Sequence, residues 1–427
     1  MKKIKIGLLG KILIAIALGI GLGLCVPAWF VRIFLTINGI FSQFLGFAIP
    51  LIILGLVTTA IADIGKGAGR MLLLTVAIAY GSTVLAGIIS YATGAAVFPS
   101  MIDTGASLDT VSNAEEPLPF FSVSIPPLMN VMTALVLAFL LGLGLASLEK
   151  DTLKNAAHDF EEIIIKTIKT AVIPVLPLYI FGIFLNMTFV GQVFAILTVF
   201  IKIIGIIFLI HIGILILQFC IAGGFARKNP FRLLWTMMPA YFTALGTQSS
   251  AATIPVTLEQ TIKNGVNEEV AGFTVPLCAT IHMSGSTLKI VACALALMIM
   301  RGMPYDFGMF LGFILMLGIT MVAAPGVPGG AIMAALGVLQ SMLGFDQEAQ
   351  ALMIALYIAM DSFGTACNVT GDDAIAIIID RLKNRYNKVG PMTRNCSSVP
   401  PFFISISYPN DDGHHRENVY APLNSWS

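Results

Sequence analysis

The chain has 427 residues, of which 57% are hydrophobic and only 11% carry a formal charge. Soluble domains are about 45–50% apolar and about 25% charged, so this composition excludes an ordinary water-soluble globule and predicts lipid as the solvent. The net charge of +1, without a long basic run, argues against nucleic acid as a partner. The predicted fold class is therefore an all-α membrane protein.

Eight stretches are apolar enough and long enough to be membrane spans, since a helical crossing needs about 20 apolar residues. The first six are 6–27, 33–59, 71–97, 128–148, 163–185 and 193–220. The last two, 273–300 and 351–379, are predicted to run without interruption. Each of these two follows an apolar segment that polar residues, Gly or Pro break in the middle. The sequence thus predicts eight transmembrane helices plus two re-entrant helical hairpins.

The distribution of Lys and Arg predicts which loops face the cytoplasm. Basic residues precede the first span and follow the second, fourth, sixth and last spans. The loop 98–127 instead carries four carboxylates and no Lys or Arg, which predicts an extracellular loop. If each broken segment enters and leaves on one side, eight spans fit this pattern apart from Arg32 and Arg301. We expect a multi-pass protein of the cell membrane with both termini in the cytoplasm.

Residues 389–427 differ from the rest of the chain. They contain five prolines, an Asn-Asp-Asp-Gly run and a His-His pair, without apolar periodicity. Such composition is typical of disorder, so we expect a disordered cytoplasmic tail.

The first broken segment contains Ser249 and Ser250, and the second contains Gly326 and Val327 within 324–330. Non-helical backbone at membrane depth is tolerated only where protein or a water-filled cavity satisfies its polar groups. Two such segments in matching positions are typical of a transporter binding site, and their free N–H groups favour a carboxylate. The alternative is two kinked helices that use Ser and Gly for helix packing.

The last predicted span carries a stripe of polar residues. Asp361 stands inside an apolar run and costs a few kcal/mol unless it faces the protein interior. Thr365, Asn368 and Asp372 follow at offsets of four, seven and eleven residues, so all four share one helix face. Two carboxylates, a hydroxyl and an amide supply oxygen ligands for a cation and an acceptor for an ammonium group. The alternative is that Asp372 is an ordinary residue near a helix end.

The span 273–300 also carries polar groups, among them His282 and Lys289. A lone membrane histidine is often a packing residue, but His282 lies beside a cluster of hydroxyls. Lys289 is seven residues further on, so both side chains can face the same side. A buried ammonium needs a carboxylate partner. Either Lys289 forms a structural ion pair with Asp361, or it holds an anionic group of a substrate; both remain open.

Four motifs in order resemble those of the dicarboxylate/amino acid:cation symporter family, which has the glutamate-transporter fold. They are Ser249-Ser250 through Val256, 276–286, 326–329 and 368–372, and the resemblance extends from near Lys11 to about Lys388. It implies a homotrimer and an elevator mechanism. A fixed scaffold would comprise residues 1–70 and 128–192, and a mobile transport domain would comprise 71–97 and 193–388.

The resemblance also implies roles for individual residues. Asp361 would take the amino group of a substrate. The other substrate contacts would be Ser249, Ser250, Ser286, Lys289, Gly326, Val327, Thr365 and Asn368. One sodium site would use Asp372 and Asn368 with carbonyls near Cys278 and His282. A second would use Thr280, Met283 and backbone of the second hairpin, and Ser82 and Thr83 match a third.

Two departures from the family pattern bear on function. Ser284 stands where the family usually has the carboxylate of the third sodium site, which implies fewer coupled sodium ions, and His282 is one way to couple a proton instead. Gly364 stands where acidic-substrate members have an Arg. A neutral amino acid is therefore slightly favoured, and an anion bound through Lys289 is the alternative.

Two other classes of function remain as alternatives. An ion channel uses similar re-entrant segments, but the sequence has no pore repeat or charged ring. An intramembrane hydrolase built on Ser249, His282 and Asp361 lacks a nucleophile motif, so we expect no enzyme activity. The expected partners are a small-molecule substrate, membrane lipid and further copies of the chain. No cofactor is expected beyond the co-transported Na⁺, H⁺ or both.

Overall fold

The computed structural model describes residues 7–65, 70–102, 117–148, 150–191, 193–322, 324 and 329–388. Within these residues the fold contains helices and no β-strand, so the predicted all-α class is confirmed. The first half contains α1 (Leu8–Gly23), α2 (Ala28–Gly65), α3 (Arg70–Val97), α4 (Val131–Ser147), α5 (Thr152–Thr167), α6 (Ile173–Phe189) and α7 (Val193–Ala226). The second half contains α8 (Pro230–Thr236), α9 (Met238–Thr247), α10 (Ser250–Lys263), α11 (Glu268–Ile281), α12 (Ser284–Met300), α13 (Phe307–Val322), α14 (Gly330–Leu343), α15 (Gln347–Ala359) and α16 (Asp361–Lys388).

Several helix starts are fixed by polar side chains at the N-cap. Asn130 accepts a hydrogen bond from the Thr133 amide, and Asp346 accepts one from the Ala349 amide. Such caps satisfy N–H groups that have no partner inside the helix. Short polar residues between apolar runs therefore set where the helices begin.

Five helical segments of the described ranges are apolar and long enough to cross a membrane, if α5 with α6 and α11 with α12 are each counted as one segment. The bent pair of α15 and α16 would be a sixth. The predicted first and fourth spans correspond to α1 and α4, which have 16 and 17 residues. Both are shorter than a full crossing of about 20 residues needs. The several apolar helices fit a multi-pass membrane protein, while the count of eight spans stays a prediction.

The prediction that 273–300 and 351–379 run without interruption is wrong. The first breaks at His282 and Met283, which leave helical geometry between α11 and α12. The second bends by 62° between α15 and α16, at Met360. The first break is stable because side chains of other helices replace the missing helical bonds: Thr83 accepts from the Met283 amide, and Asn368 accepts from the Gly285 amide. Apolar periodicity along one segment carries no signal for such bonds.

Both segments predicted to be broken are interrupted. Gln248 adopts a left-handed conformation with φ of 54°, and Ser249 is extended, so α9 ends and α10 begins within two residues. Gly329, with φ of 74°, precedes α14. The two helices on either side of each interruption contact each other, which favours hairpins over kinked helices.

The most buried helix of the described chain is α12. All of its residues from Ser284 to Met300 are buried, and it contacts α3, α7 and α15 among others. The polar residues at its start therefore face protein rather than lipid. Several predictions lie outside the described residues, namely those on Gly326, Val327, residues 103–116 and the tail 389–427.

Candidate functional site

The centre of the site is a buried ion pair between α12 and α16. The Lys289 ammonium lies 3.2 Å from Oδ1 of Asp361 and 3.3 Å from the carbonyl oxygen of Met360. It also lies 3.5 Å from the ring centroid of Tyr357, a cation–π contact. The other carboxylate oxygen of Asp361 accepts a 2.9 Å hydrogen bond from the Gly329 amide. Since Lys289 is fully buried and Asp361 is 5% exposed, each charge is compensated within the protein.

Gly364 makes room for this lysine. A Cβ atom at Gly364 would lie 2.6 Å from the Lys289 ammonium nitrogen. The ammonium therefore rests against bare backbone of α16, one turn beyond Asp361. The sequence left open whether Lys289 pairs with Asp361 or holds an anionic group of a substrate, and in the structure it pairs with Asp361.

Asn368 connects α16 to the broken helix. Its Oδ1 accepts hydrogen bonds from the amides of Gly285 at 2.7 Å and Ser286 at 3.3 Å. Its Nδ2 donates to Oγ of Ser286 at 3.1 Å and to the sulfur of Met283 at 3.3 Å. The Ser286 hydroxyl in turn lies 3.0 Å from the hydroxyl of Tyr357, whose ring contacts Lys289. One network thus joins the Asn368 amide to the ion pair.

A second network surrounds Asp372. Oδ1 of Asp372 lies 2.9 Å from Nδ1 of His282, and both side chains are almost fully buried. On its other side, Nε2 of His282 lies 3.1 Å from Oγ of Ser82. Gln218 of α7 donates to Ser82 at 2.9 Å and to Ser284 at 3.2 Å. Four helices and the break at His282 therefore contribute polar groups to one cluster.

Both hairpins reach the start of α16. The Gln248 side chain, at the interruption of the first hairpin, donates a 2.8 Å hydrogen bond to Ser362. Gly329, at the beginning of α14 in the second hairpin, donates to Asp361. The two interruptions thus contact consecutive residues of α16. Because helix ends expose unpaired N–H groups, this meeting point suits a ligand with an anionic group.

The remaining predicted residues fall in different places. Ser249 caps α10, and the buried Ser250 follows it. Thr365 is buried and donates to the carbonyl of Asp361, whereas Thr280 is exposed and donates to the carbonyl of Leu277. The Cys278 carbonyl accepts from the His282 amide.

The hydrolase arrangement considered from the sequence, with Ser249, His282 and Asp361, does not form. His282 pairs with Asp372 and not with Asp361, and Asp361 pairs with Lys289. Ser249 uses its hydroxyl to cap α10 by accepting from the Ala252 amide. The three side chains therefore have separate partners.

Three residues of these networks were missed by the sequence analysis. His211 and Gln218 are seven residues apart in the apolar run of α7, so they share one face. Nε2 of His211 lies 3.2 Å from the Gly285 carbonyl oxygen. Helical spacing identified the polar stripe on α16, and the same criterion applied to α7 would have identified His211 and Gln218. Tyr357, in contrast, is one aromatic residue in an apolar helix and gave no signal.

Comparison with known proteins agrees with the motifs. The model of the sodium:dicarboxylate symporter family matches residues 8–382. The serine/threonine transporter SstT of Acinetobacter baumannii is 28% identical over 408 residues, which cover 90% of this chain and 98% of that protein. The neutral amino acid transporter B(0) of Bos taurus is 31% identical over 177 residues, 41% of this chain and 31% of that protein. The excitatory amino acid transporter 2 of Mus musculus is 32% identical over 206 residues, 47% of this chain and 36% of that protein.

The family match covers nearly the whole described chain, including both hairpins and the two polar networks. The predicted family is confirmed, and with it the prediction of a membrane transporter rather than an enzyme. This chain belongs to the sodium:dicarboxylate symporter family.

Proposed function

We propose that this protein is a cation-coupled secondary active symporter that imports a small amino acid or dicarboxylate. The observation that carries the proposal is the convergence of both hairpins on Asp361 and Ser362. A buried carboxylate where two interrupted helices meet is typical of transporter binding sites. The relatives named as amino acid transporters support an amino acid as the solute.

In this proposal Asp361 binds the amino group of the substrate. The remaining substrate contacts come from both hairpins, the start of α12 and the face of α16, namely Ser249, Ser250, Ser286, Lys289, Gly326, Val327, Thr365 and Asn368. The cations bind around the broken helix, at Ser82, Thr83, Cys278, Thr280, His282, Met283, Ser284, Asn368 and Asp372. The polar contacts among these residues support the assignment, because a bound ion or solute can replace the hydrogen bonds that they now make with one another.

A neutral amino acid remains the favoured substrate. Lys289 and Asp361 compensate each other, so the centre of the site has no net charge left for an additional carboxylate. The alternative is an anionic substrate bound by Lys289, which requires the ion pair to open. The position of Lys289 against Gly364 supports that alternative, because acidic-substrate relatives place an Arg at this point of the chain.

Sodium is the proposed driving ion, and a proton on His282 is the alternative. The polar groups that face the His282 ring are Asp372 on α16, Ser82 on α3 and Gln218 on α7. Because His282 lies in this cluster in place of a cation ligand, its titration would make uptake depend on pH.

The proposed architecture follows from the family. Residues 1–70 and 128–192 form the scaffold of a homotrimer, and residues 71–97 and 193–388 form a transport domain that moves as an elevator. The loop 98–127 is extracellular, the tail 389–427 is cytoplasmic and both termini face the cytoplasm of a cell whose plasma membrane holds the protein.

Uptake into proteoliposomes under an imposed sodium or proton gradient tests the proposal. Labelled serine, aspartate and succinate, with unlabelled cystine as a further competitor, define the substrate class. We expect saturable, concentrative uptake of at least one solute that collapses with the sodium gradient. If His282 carries a coupled proton, His282→Asn flattens the pH profile between mildly acidic and mildly basic pH, and an unchanged profile removes the proton alternative. Non-saturable flux that equilibrates without concentrating any solute would support the channel and contradict the symporter.

A further inference from the structure

The ammonium of Lys289 occupies a complete cation site inside the protein. Its partners are a carboxylate oxygen, a backbone carbonyl oxygen and the face of Tyr357, at 3.2, 3.3 and 3.5 Å. Carboxylates, carbonyls and aromatic faces are the groups that bind an ammonium ion in proteins. Lys289 is fully buried, so water contributes nothing to this arrangement. Any primary ammonium placed here would find the same partners.

The carboxylate of this site is the one assigned above to the amino group of the substrate. In the structure both oxygens of Asp361 already have a partner, Lys289 at Oδ1 and the Gly329 amide at Oδ2. Two ammonium groups at one buried carboxylate would leave a positive charge uncompensated, so a substrate ammonium displaces the lysine. The Lys289 side chain thus supplies an ammonium ligand to this site from within the protein.

We propose that Lys289 is a tethered counter-ion: it occupies the ammonium site of Asp361 in the empty transporter, yields to the amino group of the substrate, and returns after release. This inference rests on the proposed function. It assigns Lys289 a role in the return of the empty transporter, in addition to the substrate contact proposed above.

The physical reason is the cost of a buried carboxylate without a partner. A symporter must reorient twice in each cycle, once loaded and once empty, and Asp361 is buried in this structure. When the substrate has left, an uncompensated Asp361 would raise the free energy of the reorienting state and so lower its population. Lys289 cancels that charge, so the empty protein needs no second cation from the solution for its return.

Two features favour displacement of the lysine in this proposal. Its stem has four flexible carbons, and at Gly364 the ammonium packs against backbone of α16 with no side chain between them. Tyr357 contacts the ammonium through its ring, and its hydroxyl lies 3.0 Å from Ser286. Oxygen acceptors for a displaced ammonium are thus one side chain away. A guanidinium in the same place is planar and bulkier and would fit the narrow gap against α16 less well.

Two flux measurements on the full chain in proteoliposomes separate this role from a structural one. Net uptake into vesicles without internal substrate requires the empty protein to return, whereas exchange against the same unlabelled solute inside does not. The probe is whichever of labelled L-serine or L-aspartate the unaltered protein accumulates. The variants are Lys289→Met and, as the matched control, Lys202→Met on α7, where an exposed ammonium contacts only the Met101 carbonyl among the described residues.

We expect Lys289→Met to lower net uptake by about 100-fold more than it lowers exchange, since about 100-fold is the factor for one uncompensated carboxylate in the membrane. Lys202→Met should leave both rates unchanged. Equal loss of net uptake and exchange in Lys289→Met would show a structural pair and overturn the inference, and so would intact net uptake. If the unaltered protein transports neither amino acid but does accumulate succinate, the substrate has no ammonium that could displace Lys289, and the inference is overturned while the symporter stands. If it transports none of the three solutes, the proposed function itself is contradicted.

A second measurement needs no variant, so it holds even if Lys289→Met does not fold. Net uptake by the unaltered protein is compared in vesicles loaded with potassium or with choline. With Lys289 as the counter-ion, both internal solutions support the same rate. A strict requirement for internal potassium would show that a cation from solution neutralises the empty site, and would overturn the inference.

Discussion

At the scale of single residues, the two buried carboxylates of the α16 stripe have different partners. Asp361 is held by a lysine and a backbone amide, while Asp372 is held by a histidine. Both oxygens of Asp361 have partners on other helices or hairpins, whereas the contact of Asp372 with His282 is through Oδ1. This difference fits a solute at Asp361 and an ion near Asp372.

The energy of the Lys289–Asp361 pair can be tested by a double-mutant cycle. Lys289→Met leaves Asp361 buried without a cation and should lower the unfolding free energy by about 3–5 kcal/mol. The double variant Lys289→Met/Asp361→Asn has a neutral pair of similar size, and its introduced side-chain amide oxygen can still accept from the Gly329 amide, so most of the loss should be recovered. Thermal unfolding in detergent, in choline buffer without sodium, measures the stability of Lys289→Met, of Asp361→Asn and of the double variant. A double variant that is as unstable as the sum of the two single variants would contradict the pairing.

Sequence reasoning at this scale predicted the residue types and their shared face but only part of their contacts. The offsets from Asp361 to Asp372 placed four polar groups on one face because helical spacing is regular. The partners Gln218, Tyr357 and Gly329 come from other helices, and spacing within one segment carries no information about contacts between segments. That is why Lys289 could be assigned a carboxylate partner without deciding between Asp361 and a substrate.

At the scale of elements, the break between α11 and α12 brings the two polar networks together. It turns the backbone amides of Gly285 and Ser286 towards Asn368, and it leaves the His282 ring between Asp372 and Ser82. A continuous helix would use those amides for its own bonds. The apolar pattern predicted a continuous span because the broken backbone is stabilised by neighbours and not by a local turn motif.

The close approach of α12 to α16 depends on Gly285. An added Cβ would lie 2.6 Å from both the Cβ of Cys367 and the carbonyl oxygen of Gly364, and backbone cannot move aside easily. Gly285→Ala should therefore destabilise the protein by about 1–3 kcal/mol and reduce uptake. Gly272→Ala on α11, where nothing lies within 4 Å, is the control and should be neutral or slightly stabilising. Equal melting temperatures and uptake rates for the two variants would show that α12 and α16 can accommodate the added methyl group, which would contradict the prediction.

At the scale of the whole molecule, composition predicted the membrane class and the four motifs predicted the family. Both followed from the sequence because apolar content sets the solvent and because the motifs lie in the segments that form the site. The number of complete crossings did not follow from apolar content. Helices such as α1 and α4 are apolar but short, and the bend at Met360 divides a long apolar run into two helices.

The proposed function requires the buried carboxylates of α16 to bind a solute and its accompanying ion. Sodium-driven uptake of labelled amino acid in Asp361→Asn and Asp372→Asn tests it most directly, with Asp159→Asn on the exposed face of α5 as the control. Loss of a buried charged contact predicts that concentrative uptake falls by about 100-fold in the first two variants and is unchanged in the third. Folded Asp361→Asn and Asp372→Asn proteins that concentrate the amino acid at the unaltered rate would contradict the account.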